Sequence, residues 1–450
     1  MKAAPAPLLF ALAAAFGLAG AGCPQAAQPN APLRVDGADT AGAGVAESWA
    51  QEEEAVLGAL GAGDPTLALR FGEAPTLSGP DAEVEANWLA PSLRARGLAD
   101  AETALGHWGD SATLARMGVA RAWGLRLERE LVIRAVREER FRYDKERALP
   151  MAASELVRAM VTTVRAMPPT DSRRAHDRWM TRRLDDIRAS LRGGGLDASE
   201  RAELEDALDA LERGASPAVV AALVKVGEEL DATRAAPSRA ADPALLEQAL
   251  GAHAGTSFPL AVLRSRLERA EAATRDAVQA YRPRLSADEI RRTEAEATER
   301  LFGALPCGDP DNPSRMRRAA PPPERAPACA EMRLTAMTRG GDATTPFLAL
   351  LALHDHATVA LWALALRGEG ASPDVAHAGH HLLGAASPEA RARVERLAIV
   401  RPTTAITAGL AAEMLMRRGP DGLAQVGAAW TTFGDAPLDV IEREVLSKLP

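Results

Sequence analysis

Five of the eight histidines in the chain fall in one stretch, HDHATVALWALALRGEGASPDVAHAGHH, running from His354 to His381. A neutral imidazole nitrogen binds divalent transition metals, and two histidines four residues apart on a helix can share one ion. His377 and His381 have that spacing, and His380 falls within the same arc of about 100°. His354 and His356 are two apart. On a regular helix they point about 200° away from each other, so at most one can serve a given site. In an antiparallel helical hairpin with a rise of about 1.5 Å per residue, His356 comes level with His381, and His354 lies further from the turn. The geometry thus permits, without establishing, a cluster of His356, His377 and His381 around a metal ion, with His380 on the same face as the last two. Asp355, Asp374 and Glu413 are the candidate carboxylates for further ligands. The bland alternative is that these histidines are polar surface or core residues, with Asp355 holding one imidazole in place. No HExxH or CxxC motif accompanies them.

The elements that must position these residues read as helices from end to end. Alanine, leucine, arginine and glutamate dominate, all strong helix formers. Asp64-Pro65, Ser216-Pro217, Asp242-Pro243, Ser372-Pro373 and Ser387-Pro388 each place a capping side chain before a proline at the first helical position. Ser286 and Glu289 have the spacing of a capping box. Apolar residues recur every three or four positions from Ala112 to Leu149, which predicts one long helix. The stretch TPFLALLALHDHATVALWALAL is apolar nearly all round, the signature of a helix in the middle of a core. Its central His354, Asp355 and His356 argue against a lipid-spanning role. The expected fold is all-α: an irregular multi-helix array in two lobes, without a fixed-period repeat.

The ends of the chain carry compartment signals. Lys2, an apolar run from Leu8 to Leu18 and then small residues predict a secretory signal peptide over 1–22. It leads to Cys23, in AGAGC, which resembles the lipid-bearing cysteine of bacterial lipoproteins, although Gly20 replaces the usual leucine. Ordinary cleavage after Ala21, leaving a free thiol, is the competing reading. Residues 23–46 lack bulky apolar groups and read as a flexible, lipid-anchored tether. Cys307 and Cys329 bracket a loop rich in proline and charge. In an oxidising compartment they would pair, adding about 3 kcal/mol in the chain-entropy account; two unrelated thiols are the alternative. That loop, 306–328, is the expected boundary between an N-terminal lobe, 47–305, and a C-terminal lobe, 329–450. The net charge of −8 argues against a general nucleic-acid binder. Residues 113–192 depart from it, with 19 Lys/Arg against 11 Asp/Glu. They read as solvated helix faces or as a basic surface facing acidic headgroups or an acidic partner.

AHAGHHLL, residues 376–383, resembles the second half of a His-Glu-Ala-x-Pro-Gly-His-His-Leu-Gln signature. That signature belongs to a family of exported, mostly helical, zinc-peptidase-like proteins catalogued as a domain of unknown function. GLAAEMLM places Glu413 where the family has a further ligand, and the helix order around SADEIRRTEAEATERL is also similar. The resemblance implies His380 as a surviving ligand, with Asp374 and Glu413 beside it. Asp374 stands where the first histidine belongs and Val375 where the water-activating glutamate belongs. It thus implies a degenerate scaffold rather than a working peptidase.

Other chemistry is weaker still. His107, Asp110 and Ser111 are adjacent in one loop, whereas triad members converge from separate positions around an oxyanion hole. The glycine-rich turns at 192–200 and 338–346 lack the strand and lysine of a phosphate loop. The expectation is an exported protein of the bacterial cell envelope, in the periplasm or at the outer membrane. It would be held at a membrane by its N-terminal lipid and act as a non-catalytic binding or scaffolding module for an envelope partner. The alternative is a zinc-dependent hydrolase, or its degenerate descendant, using the C-terminal histidines.

Overall fold

The computed structural model describes residues 49, 51–60, 91–108, separate positions between 132 and 157, 173–192, 194–236, 241–255, 258–300, 344–384, 387–414, 416 and 417. The signal segment, Cys23 and its tether, Cys307, Cys329 and the loop between them, and most of the helix expected over 112–149 lie outside the described residues. Helix accounts for 85% of what is described and strand for 2%, so the fold is all-α.

In chain order the helices are α1 (51–60), α2 (Pro91–His107), α3 (Arg173–Leu191), α4 (Ala198–Glu212), α5 (Pro217–Ala232), α6 (Pro243–Ala254), α7 (Leu260–Tyr281), α8 (Ala287–Arg300), α9 (Thr344–Ala363), α10 (Pro373–Ala378), α11 (Pro388–Val400) and α12 (402–414). Strands β1 (Gly195–Leu196) and β2 (Arg234–Ala235) form one short parallel bridge.

The expected caps are made where they are described. The side chains of Ser216, Asp242, Ser372 and Ser387 accept from the amides of Val219, Leu245, Val375 and Ala390. Ser286 and Glu289 exchange bonds at the start of α8, at 2.7 and 3.3 Å. Asp197 and Glu200 form a second capping box, at the start of α4. Each such cap stabilises its helix by about 1 kcal/mol.

The apolar residues sort into four clusters. Trp49, Val56, Leu98, Trp108, Val132 and Val136 belong to one, in the N-terminal part. Trp179, Leu184, Leu204, Leu211, Val219 and Leu230 belong to a second, built on α3–α5. The other two clusters wrap α9. Its first half packs with Ala277, Val278 and Tyr281 of α7. Its second half packs with Leu263 and Leu267 of α7, Leu246 and Leu250 of α6, and Val394 of α11. The start of α9 thus meets the end of α7, with Phe347 stacked on Tyr281 at 6.3 Å, and the two helices run antiparallel. Helices from both sides of 306–328 share these cores, so that segment does not divide one apolar core from another.

α9 is long and apolar enough to cross a membrane by length and composition, yet the segment Pro346–Gly368 is wholly buried among other helices. A π-helical turn at Leu364–Gly368 ends it, and the chain reverses through Gly370 at φ 69° toward α10. A positive φ of this kind suits glycine, which lacks a Cβ.

On another side, α12 crosses α9 at Gly409. A Cβ there would collide with the Cβ of Ala360 and lie 2.9 Å from Leu267 Cδ2 and 3.1 Å from the His356 carbonyl oxygen. The crossing is close because this residue has no side chain. Gly409→Ala is expected to destabilise the protein by about 1–3 kcal/mol, the usual cost of overpacking. Gly227→Ala on α5, where a Cβ meets nothing within 4 Å, should be neutral or stabilising. Urea unfolding of the two variants checks the pair.

Candidate functional site

α9 carries His354, Asp355 and His356 at 0%, 0% and 2% exposure. Buried polar atoms must find partners, because leaving one unmade costs about 1–3 kcal/mol. Two neighbouring elements supply most of them: α7, and the segment from Gly379 to Gly384 that leaves α10 and lies back against α9.

His354 touches both. Its Nδ1 lies 3.2 Å from Thr274 Oγ1 and 3.2 Å from the Glu271 carbonyl oxygen. Its Nε2 lies 3.1 Å from the His381 carbonyl oxygen and 3.4 Å from Thr358 Oγ1. A neutral imidazole has one N–H to give. The His381 carbonyl sits beyond the end of α10 and needs a donor, whereas the Glu271 carbonyl lies within α7 and has a helical amide. With hydrogen on Nε2 the ring donates to the His381 carbonyl; the Thr274 hydroxyl beside Nδ1 also lies 2.8 Å from the Ala270 carbonyl and 3.0 Å from the Glu271 carbonyl of its own helix, and its single hydrogen serves one of these acceptors. Burial pulls the His354 pKa below its ordinary value, although the His381 carbonyl and the Glu271 carboxylate favour the charged ring.

Asp355 grips the main chain of the same segment. Its Oδ1 accepts from the Leu383 amide at 2.8 Å and its Oδ2 from the Gly384 amide at 3.1 Å. Burial pushes its pKa up to about 7, against the pull of those two amides. Trp362, two turns along, donates from Nε1 to the His380 carbonyl at 3.0 Å, and its ring lies 4.3 Å from that of His377. Four main-chain atoms between His380 and Gly384 are therefore held by three buried side chains of α9.

Glu271 of α7 is the acid of this region. It is 4% exposed and ion-paired with Arg275. Its Oε1 lies 4.0 Å from His354 Nε2, and its Oε2 lies 3.8 Å from His380 Nδ1. Burial alone would raise its pKa. His380, Arg275 and His354 outweigh that and hold the carboxyl below its ordinary value.

The residues singled out in the sequence are distributed as follows. His377 is half-buried on α10, with Nε2 3.9 Å from Glu395 Oε2. α10 ends at Ala378, so His380 and His381 lie beyond it and the helical four-residue relation of His377 to His381 is not formed. His381 and Asp374 are exposed. His354, rather than His356, is level with His381. His356 is buried elsewhere on α9, whose backbone at that position faces Gly409 of α12, and burial lowers its pKa to about 3. Glu413 is paired with Arg266 at 2.6 Å and with Arg417 at 3.5 Å. Among the described residues no three His, Cys, Asp or Glu side chains are grouped to hold a metal ion.

Sequence reasoning passed over Glu271, Thr274, Thr358 and Trp362. One signal was present: Glu271 and Thr274 interrupt the apolar stripe of Leu263, Leu267, Ala270, Ala277 and Val278 on α7. A carboxylate and a hydroxyl on the buried face of a helix imply buried polar partners. No protein-family model, curated protein or solved structure matches the chain.

The two shifted groups act oppositely on stability. The folded Asp355 keeps its proton up to about pH 7, whereas the unfolded one loses it near 3.8. Its contribution is full below the lower value and is lost as pH rises to the upper one. His356 stays neutral down to about pH 3 when folded and takes a proton near 6.5 when unfolded. Its contribution is full above the higher value and is lost as pH falls to the lower one. Urea unfolding across this range should show Asp355→Asn gaining on the wild type as pH rises. His356→Leu should gain on it as pH falls.

Proposed function

We propose that this chain is an exported lipoprotein of the bacterial envelope, anchored through Cys23 and the tether at 24–46. Its helical body is a non-catalytic binding or scaffolding module. The observation that carries the second half is how His354, Asp355, Trp362 and Glu413 spend their polar atoms. His354 and Asp355 hold the main chain of 381–384, Trp362 holds His380, and Arg266 and Arg417 occupy Glu413. A hydrolytic metal centre needs three ligands converging on an open position. Here His354, Asp355 and Trp362 serve the packing of one segment on one helix, and Glu413 is held in ion pairs apart from them. The first half rests on the sequence of the N-terminal segment, with its apolar run, small residues and cysteine.

The competing reading is a zinc hydrolase or its degenerate descendant, which the resemblance of AHAGHHLL suggests. The nearest thing to support for it is Glu271, set between His354 and His380. Arg275 already neutralises that carboxylate, which weakens it as a ligand for a cation.

Metal analysis separates the two. Full-length protein reconstituted with zinc and dialysed should retain far less than a stoichiometric amount. A full equivalent, lost in a His377→Ala/His381→Ala double variant, would replace the binding-module reading with the hydrolase. The anchor is checked independently. Cys23→Ser should move the protein from the membrane fraction to the soluble fraction, since a lipid chain supplies about 0.8 kcal/mol per buried methylene. Unchanged fractionation would sink the lipoprotein assignment.

A further inference from the structure

The cluster on α3–α5 and the clusters around α9 have no member in common. Ala153 and Val157 complete the α3–α5 cluster, and the ends of that unit are tied to each other. α5 packs along α3, and β2, which follows α5, returns to pair with β1, which follows α3. Arg192 of the first arm pairs with Glu229 of the second at 2.8 Å. Arg201 donates to the Thr233 carbonyl at 3.0 Å, so the exit of α5 is tied to the start of α4.

Among the described elements, this unit meets the α9 core mainly where α4 lies against α11. The facing surfaces there are charged. Glu203 and Asp206, one turn apart on α4, meet Arg401 and Arg396. Arg401 Nε lies 3.1 Å from Glu203 Oε1, with both side chains almost wholly buried at 4% and 6%. The Arg396–Asp206 pair lies at the more exposed edge. Leu204, Leu208 and Leu211 of α4 belong to the α3–α5 cluster, and Val394 and Ala398 of α11 to the α9 core; Ala390 and Leu397 of α11 are buried without belonging to either.

We infer that α3–α5 (173–236), with Ala153 and Val157 packed into their core, form a separately cooperative unit, docked on the C-terminal helical core through a charged latch made by Glu203 and Asp206 with Arg401 and Arg396. Contacts between units inside a chain are characteristically more polar than cores, and such joints permit relative motion. An apolar core forces two elements to melt together. A charged joint adds little to mutual stability, because desolvating the ions offsets their attraction. It does fix orientation, since removing one partner strands a buried charge. The α3–α5 unit can therefore open from the core without either losing its own packing. This goes beyond the binding-module proposal and does not depend on it.

Amide hydrogen exchange on the full-length chain tests the latch. Glu203→Gln leaves Arg401 buried without its carboxylate partner. It should speed exchange at the joint, including the Arg401 amide that bonds to the Leu397 carbonyl, roughly a hundredfold or more. Protection at Val226 and Leu230 in α5, and at Val359 and Leu361 in α9, should stay within about threefold of wild type. The charge-reversed pair Glu203→Arg with Arg401→Glu should recover most of the protection at the joint. Equal loss of protection in both cores would show one cooperative body and overturn the inference. So would unchanged exchange at the joint, or a failure of the reversed pair to recover where each single variant still folds.

Discussion

Three consecutive polar side chains in the middle of a buried helix set the terms that the C-terminal core has to meet. α9 supplies apolar surface on every side, and burying it is the main driving force for gathering α6, α7, α11 and α12 around it. His354, Asp355 and His356 interrupt that surface at its centre. Each would cost more than it returns unless its neighbours answer it. Neighbours answer the first two by different means. α7 turns a threonine hydroxyl toward His354. The segment after α10 gives up two amides to Asp355. At His356 the close approach is to the main chain: α12 comes up to its carbonyl because Gly409 has no side chain.

This arrangement explains why α10 is short. A longer helix would bond the amides of residues 383 and 384 to its own carbonyls. Asp355 takes them instead, and the chain beyond Ala378 runs as a non-helical strap whose carbonyls fall to His354 and Trp362. Ending the helix early sacrifices a few internal hydrogen bonds. In return it satisfies a buried carboxyl and a buried imidazole, and at interior positions that exchange is favourable. Loss of the helical turn also explains why His377 and His381 do not share a face.

Much of the fold was legible in the sequence. Serine or aspartate before proline marked the starts of α5, α6, α10 and α11, because capping is local chemistry that needs no tertiary knowledge. The apolar run of α9 announced a central helix for the same reason: nothing else could shelter it. The candidate site was legible only in part. The histidines and Asp355 stood out by type, but their partners are main-chain atoms, which no residue letter encodes. The expected pairing of His356 with His377 and His381 assumed that the second arm of the hairpin stays helical through His381. It stops at Ala378, and the level of the contact moves to His354. The division expected at 306–328 followed the composition of a proline-rich loop, whereas cores follow apolar faces, and those of α7 and α9 meet across it.

Asp355, His354 and Trp362 recognise the strap by its backbone alone, and this separates what may vary from what may not. Spelling is free there, in the sense that amides and carbonyls are the same whatever residue bears them. Counting is not. One residue added to or removed from the stretch joining His354 to Gly384 would bring the wrong peptide group to each buried partner. Drift in the lineage of this protein should therefore alter His380, His381 and the exposed turn between α9 and α10 far more readily than the length of the connection.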